Sequence, residues 1–95
     1  MAKPVLMDFF AEWCGPCRQQ TPILNQLKER MGDQVEIRKI DVGVDTAETR
    51  QYAAKYDIQF VPTIVIEKDG VLIQKLVGVQ DLERLEGILR PLVEA

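Results

Sequence analysis

Histidine is absent from this chain of 95 residues, which removes every Cys–His and Ser–His catalytic arrangement. Cysteine occurs only twice, at positions 14 and 17. A pair so close cannot be a disulfide scaffold, because it closes almost no loop. Positive charge is not in excess: the formal net charge is −3 and no basic stripe runs through the sequence, so nucleic acid is not an expected partner. No apolar run approaches the roughly 20 residues of a membrane helix. Met1-Ala2-Lys3-Pro4 leads straight into a strand pattern, without the apolar segment and small-residue cleavage site of a secretory signal. These absences set the expectation of a cytoplasmic monomer that contacts neither membrane nor nucleic acid.

What is present suits one globular domain spanning residues 1–95, with 46% apolar and 28% charged residues. Val5–Phe10 is a nearly continuous apolar run with a single acid, Asp8, inside it; such runs suit a strand buried on both faces of a sheet. Ile23, Leu24, Leu27 and Met31 fall at helical spacing before a Gly32-Asp33 stop, which predicts a helix over about 15–31. Val35–Val42 alternates as a half-buried strand, and strand, helix and strand together predict a parallel βαβ unit. Asp45–Tyr56 reads as a second helix capped by Asp45 or Thr46. Thr63–Glu67 and Val71–Val77 flank Asp69-Gly70, a strong hairpin signal. Leu82, Leu85, Ile88, Leu89 and Leu92 form the stripe of a last helix behind Asp81, with Gly87 and Pro91 weakening its final turn. The predicted order is β-α-β-α-β-β-α: an α/β fold with a four-stranded mixed sheet between helices on both faces.

The chemistry concentrates in Trp13-Cys14-Gly15-Pro16-Cys17. Cys14 ends the loop after a buried strand, and Cys17 falls in the first turn of the next helix. Residues three apart at a helix start are neighbours, and a non-helical cap position for Cys14 brings the pair into disulfide range. Gly15 permits a tight turn and close approach by a partner chain. Pro16 suits a first helical turn, where its missing N–H leaves nothing unsatisfied. The unpaired N–H groups and the dipole of a helix N-terminus favour thiolate over thiol at Cys14, and a thiolate is the species that attacks a disulfide. Zinc sites also use this cysteine spacing, but tetrahedral zinc takes about four ligands. With two cysteines and no histidine, only a shared site in a dimer or carboxylate ligands would complete one, so no metal is expected. Two inert core cysteines are the remaining bland reading.

Phe9-Phe10-Ala11-Glu12-Trp13-Cys14-Gly15-Pro16-Cys17-Arg18 resembles the active-site segment of the thioredoxin family. Asp8, Pro22, Lys39, Asp41, Val61-Pro62-Thr63, Gly70 and Gly78 also fall where that family carries such residues. The resemblance implies the thioredoxin fold and a dithiol–disulfide cycle that needs no bound cofactor. It implies Asp8 as a buried proton acceptor behind Cys17, with Lys39 balancing its charge from the adjacent strand. It also implies a cis peptide between Val61 and Pro62, and a substrate surface that includes Trp13, Gly15, Pro16, Val61, Pro62 and Gly78. Family members usually begin with a further strand and helix, whereas this sequence starts at the strand leading to the cysteines. Val35–Val42 is then expected at a sheet edge, where Arg38 and Lys39 discourage edge pairing. Phe10 stands where many members have tryptophan. Phe60 replaces a small residue and bulks up the substrate groove.

The expected activity is reduction of protein disulfides, with Cys14 as nucleophile and Cys17 as resolving thiol. The expected partners are disulfide-containing proteins and a reductase of the kind that serves thioredoxins, whose type the sequence does not reveal. Two other readings stand beside it. One is net oxidation or isomerisation, against which Gly15-Pro16 argues, because related oxidising enzymes often place histidine there. The other is a binding or scaffold subunit, since fold alone does not fix function.

Overall fold

Strands and helices follow one another as the apolar pattern requires in a computed structural model that describes residues 2–94. They are β1 (Val5–Phe10), α1 (Gly15–Met31), β2 (Glu36–Asp41), α2 (Ala47–Lys55), β3 (Thr63–Lys68), β4 (Val71–Val77) and α3 (Leu82–Glu94), with one 3₁₀ turn at Gly32–Gln34. The sheet order is β2-β1-β3-β4. β1 runs parallel to β2, with Asp8 opposite Lys39, and antiparallel to β3. β3 and β4 form the expected hairpin. Asp69 and Gly70 at its turn both have positive φ, 54° and 77°, the backbone twist that matches two right-handed strands.

The two faces of the sheet carry separate cores. On one side Leu6, Ile64, Ile66 and Leu76 meet Leu24, Leu27 and Met31 of α1 and Leu85 and Leu89 of α3. On the other, Met7, Phe9, Ile40 and Val65 pack on Tyr56 and Tyr52 of the α2 region. The Tyr56 hydroxyl donates to the Glu67 carboxylate. Full burial of one such aliphatic side chain contributes about 1.5–3 kcal/mol. Central β1 is covered on both faces, which explains its unbroken apolar run. β2 is an edge strand among the described residues, with Arg38 and Lys39 exposed on it as expected.

Two local expectations are refined. Of the two candidate caps, Thr46 is the one used: its Oγ1 accepts from the Thr49 N–H at 3.1 Å, while Thr49 Oγ1 accepts from the Thr46 N–H at 3.0 Å. The last turn of α3 is intact despite Pro91. Leu92 and Val93 pack against the core beyond the proline, and Lys68 Nζ donates to the Leu92 carbonyl. Tertiary contacts thus hold a turn that local propensity alone would lose. Asp81 Oδ1 accepts from the Arg84 N–H at 2.8 Å at the start of that helix.

Candidate functional site: the Cys14–Cys17 pair

The site forms where β1 ends and α1 begins. Cys14 is the N-cap of α1, with extended backbone at φ −89° and ψ 110°, and proline occupies the first turn. The pair is joined as a disulfide, with Cα atoms 5.3 Å apart. The Cys17 N–H donates to Cys14 Sγ at 3.2 Å, so a first-turn amide that no carbonyl satisfies points at this sulfur. Both cysteines are buried, packed with Ala11 against half-buried Phe10 and Val61. Gly15 and Pro16 between them are exposed.

A second segment closes over the sulfurs. The Val61–Pro62 peptide is cis, and the Val61 carbonyl oxygen lies 3.7 Å from Cys14 Sγ. Pro62 is buried and Val61 half-buried. The Pro62 carbonyl accepts from the Gly78 N–H at 2.8 Å, which ties the end of β4 to this loop. Gly78 has φ +92°, a conformation that a side chain disfavours. Trp13 is 75% exposed and stands outside every core cluster.

Asp8 lies within β1, the strand that leads to the cysteines. It is fully buried, and neither carboxylate oxygen has a hydrogen-bond partner. Alternation along β1 places it on the α1 face with Leu6. Burial raises its pKa from 3.8 to about 6, opposed in part by the positive charge of Lys39. Although the two residues are neighbours across the strands, no hydrogen bond or ion pair joins Lys39 to it. Instead the ammonium donates to Thr21 Oγ1 at 3.3 Å and stands 5.3 Å above the Phe10 ring. Phe10, Cys17, Thr21 and Lys39 line a cleft of about 320 Å³ open to solvent, which gives water a route to Cys17.

One residue of the site was not legible in the sequence. Gln20 is fully buried; its Nε2 donates to the Gln80 carbonyl at 2.9 Å and its Oε1 accepts from the Gln80 N–H at 2.7 Å. It thereby fixes the segment after Gly78 to the first turns of α1. The only available signal was spacing: Gln20 continues the buried Leu24, Leu27, Met31 stripe one turn earlier.

Comparison with known proteins places this geometry. The sequence model of the family described as Thioredoxin matches residues 1–90. A thioredoxin of Bacillus subtilis is 40% identical over 85 residues, covering 90% of this chain and 78% of its own length. A thioredoxin of Alicyclobacillus acidocaldarius is 37% identical over 92 residues, covering 97% of this chain and 84% of its own. The structure of a mutant thioredoxin from Halobacterium salinarum superposes with a TM-score of 0.84 at 34% identity, over 98% of this chain and 77% of that one.

Proposed function

Since the chain belongs to the thioredoxin family and is a thiol–disulfide oxidoreductase, we propose that it works in the reducing direction on disulfides of other proteins. The thiolate of Cys14 attacks one sulfur of the substrate disulfide. A Cys14–substrate disulfide forms, and the other substrate sulfur leaves as a thiolate that takes up a proton. Cys17 then loses its proton and attacks Cys14 Sγ. The intramolecular disulfide forms and the second substrate thiol departs. Two electrons pass to the substrate, with one proton from Cys17 and one from solvent. A dithiol or a reductase of the kind that serves thioredoxins restores the pair. No step needs a bound cofactor, because the two sulfurs carry both electrons.

The observation that carries this reading is the amide of Cys17 aimed at the sulfur of a capping Cys14. The unpaired N–H groups of a helix start favour a thiolate over a thiol at that position. Asp8 is the candidate base for Cys17. It is the one fully buried acid among the described residues, it lies on the α1 face of β1, and its raised pKa suits proton exchange near neutrality. The charge of Lys39 tunes it from a distance. Val61 and Pro62 offer an extended substrate a backbone to pair with. Gly15, Pro16, Trp13 and Gly78 complete the contact surface. Among the described residues no helix is long and apolar enough to cross a membrane, and a cytoplasmic, reducing setting belongs to the same proposal.

The test is equilibration of the Cys14–Cys17 couple with glutathione and with a thioredoxin standard, followed by reduction of a protein disulfide with dithiothreitol as donor. The expected result is a couple more reducing than the glutathione pool, with turnover. A couple well above that pool, or no turnover with any dithiol, overturns the proposal.

A further inference from the structure

Exposed large apolar residues are common singly, but the two most exposed in this protein, Trp13 at 75% and Phe60 at 66%, line one cleft. Its volume is about 360 Å³, and Val42, Ala53, Ile58 and Val61 contribute to its walls. No lining residue is charged. Phe60 belongs to none of the three core clusters, so packing of the fold does not account for an aromatic ring there. Its backbone is nevertheless fixed: the Phe60 carbonyl accepts from Oγ1 of buried Thr63 at 2.7 Å. The cleft is continuous with the reactive pair, because it shares Val61, whose carbonyl lies 3.7 Å from Cys14 Sγ.

We propose that Phe60 is a specificity-determining residue that, with Trp13, seats a large apolar side chain beside the reactive cysteine of the substrate. The inference rests on the reducing activity above and adds the class of substrate segment. Any substrate must bring a sulfur to Cys14, so its neighbouring residues necessarily lie over Trp13 and Val61. An extended segment advances about 3.3 Å per residue, so a side chain one or two positions from the cysteine reaches the cleft. Gln59 brings the one side-chain amide in the lining, and its N–H group donates to the Asp57 carboxylate, so a carboxylate or ammonium meets no charged partner on entry. An aromatic or branched aliphatic side chain instead loses contact with water against Phe60 and Trp13.

The experiment compares the whole protein and its Phe60→Gly and Phe60→Leu variants on disulfide peptides that differ only beside the cysteine. One series carries Phe or Leu there, the other Ser or Asp. Bis(2-hydroxyethyl) disulfide, which has no flanking residues, serves as the reference substrate. The expected wild-type preference for the apolar series is about tenfold in kcat/KM, the scale of hydrophobic discrimination. Phe60→Gly reduces it to about threefold or less, Phe60→Leu keeps part of it, and rates on the reference stay within about twofold. Equal wild-type rates on both series overturn the proposal. So does a preference that survives Phe60→Gly, or a loss that extends equally to the reference. Failure of the wild type on every substrate, the reference included, removes the reducing activity itself.

Discussion

Replacing Asp8 with Asn should stabilise the oxidised protein in a pH-dependent way. In the folded state the carboxyl is fully buried without a hydrogen-bond partner, and its pKa stands at about 6 against 3.8 for a free aspartate. Between those values the folded protein holds a proton that the unfolded chain has released, so stability falls as pH rises. Well below pH 3.8 both states are protonated and the penalty is absent. Well above pH 6 both are ionised and it is complete. At about 1.4 kcal/mol per decade, the displacement corresponds to ~3 kcal/mol of destabilisation at pH 8. Asn cannot ionise, so the variant escapes this term. Its amide also needs partners, which costs about 1–3 kcal/mol at either pH and cancels when the two pH values are compared. Urea unfolding of wild type and variant at pH 4 and pH 8 therefore isolates the charge. The difference in stability between variant and wild type should grow by ~2.4 kcal/mol from pH 4 to pH 8, because the unfolded chain is already more than half ionised at pH 4. A difference that stays constant, or one that shrinks toward pH 8, would refute burial as the controlling effect. Catalysis should move the other way, with slower closure of the Cys14–Cys17 disulfide from a mixed disulfide, measured by single-turnover thiol release.

Other substitutions test other links. Cys17→Ser should accumulate covalent adducts between Cys14 and protein substrates on non-reducing gels, whereas Cys14→Ser should form none; adducts through Cys17 alone would reverse the assigned roles. Gln20→Ala should cost about 1–3 kcal/mol in thermal or urea unfolding, because it orphans the Gln80 N–H and carbonyl that Gln20 now satisfies. Glu86, which accepts from both Arg30 and Arg90, has its pKa held down by them. A depressed carboxyl pKa stabilises above its unfolded value and loses that effect as pH falls through the folded one. Glu86→Gln should accordingly lower the melting temperature at pH 7 and match wild type once the carboxylate of Glu86 is protonated in acid.

Much of this fold was legible because its signals are local. The Val5–Phe10 run, the Asp69-Gly70 turn and the Leu24, Leu27, Met31 stripe each specify an element within a few residues, and the strands and first helix fall where those signals place them. The spacing of Cys14 and Cys17, with glycine and proline between, likewise specifies a cap and a first turn. What escaped depends on distant partners. Gln20 reads as an ordinary exposed helix residue until the Gln80 backbone, 60 residues on, is brought against it. Pro91 weakens the last turn of its helix in the sequence reading, and Leu92, Val93 and Lys68 hold that turn in the structure. The cis peptide before Pro62 has no local signature, since only about 5–6% of X–Pro bonds are cis; resemblance to a family was the only route to it.

Departures from the inside–outside rule fall mainly in two places: the cysteine end, and the β4 edge of the sheet, where Val71, Leu72, Ile73 and Val77 are exposed. The end of the molecule built from Leu6, Leu27, Met31, Leu85 and Leu89 keeps apolar groups inside. At the cysteine end an acid is sealed in without a partner, and two aromatic rings stand in water. Of these departures, only those at the cysteine end adjoin the reactive pair. A neutral residue at position 8 would remove the ionisation penalty from β1. Polar residues at positions 13 and 60 would suit solvent better and leave a substrate chain nothing to settle on. Trp13 and Phe60 share one cleft that also includes Val61, so substitutions at these two positions separate what solvent favours from what a substrate chain needs.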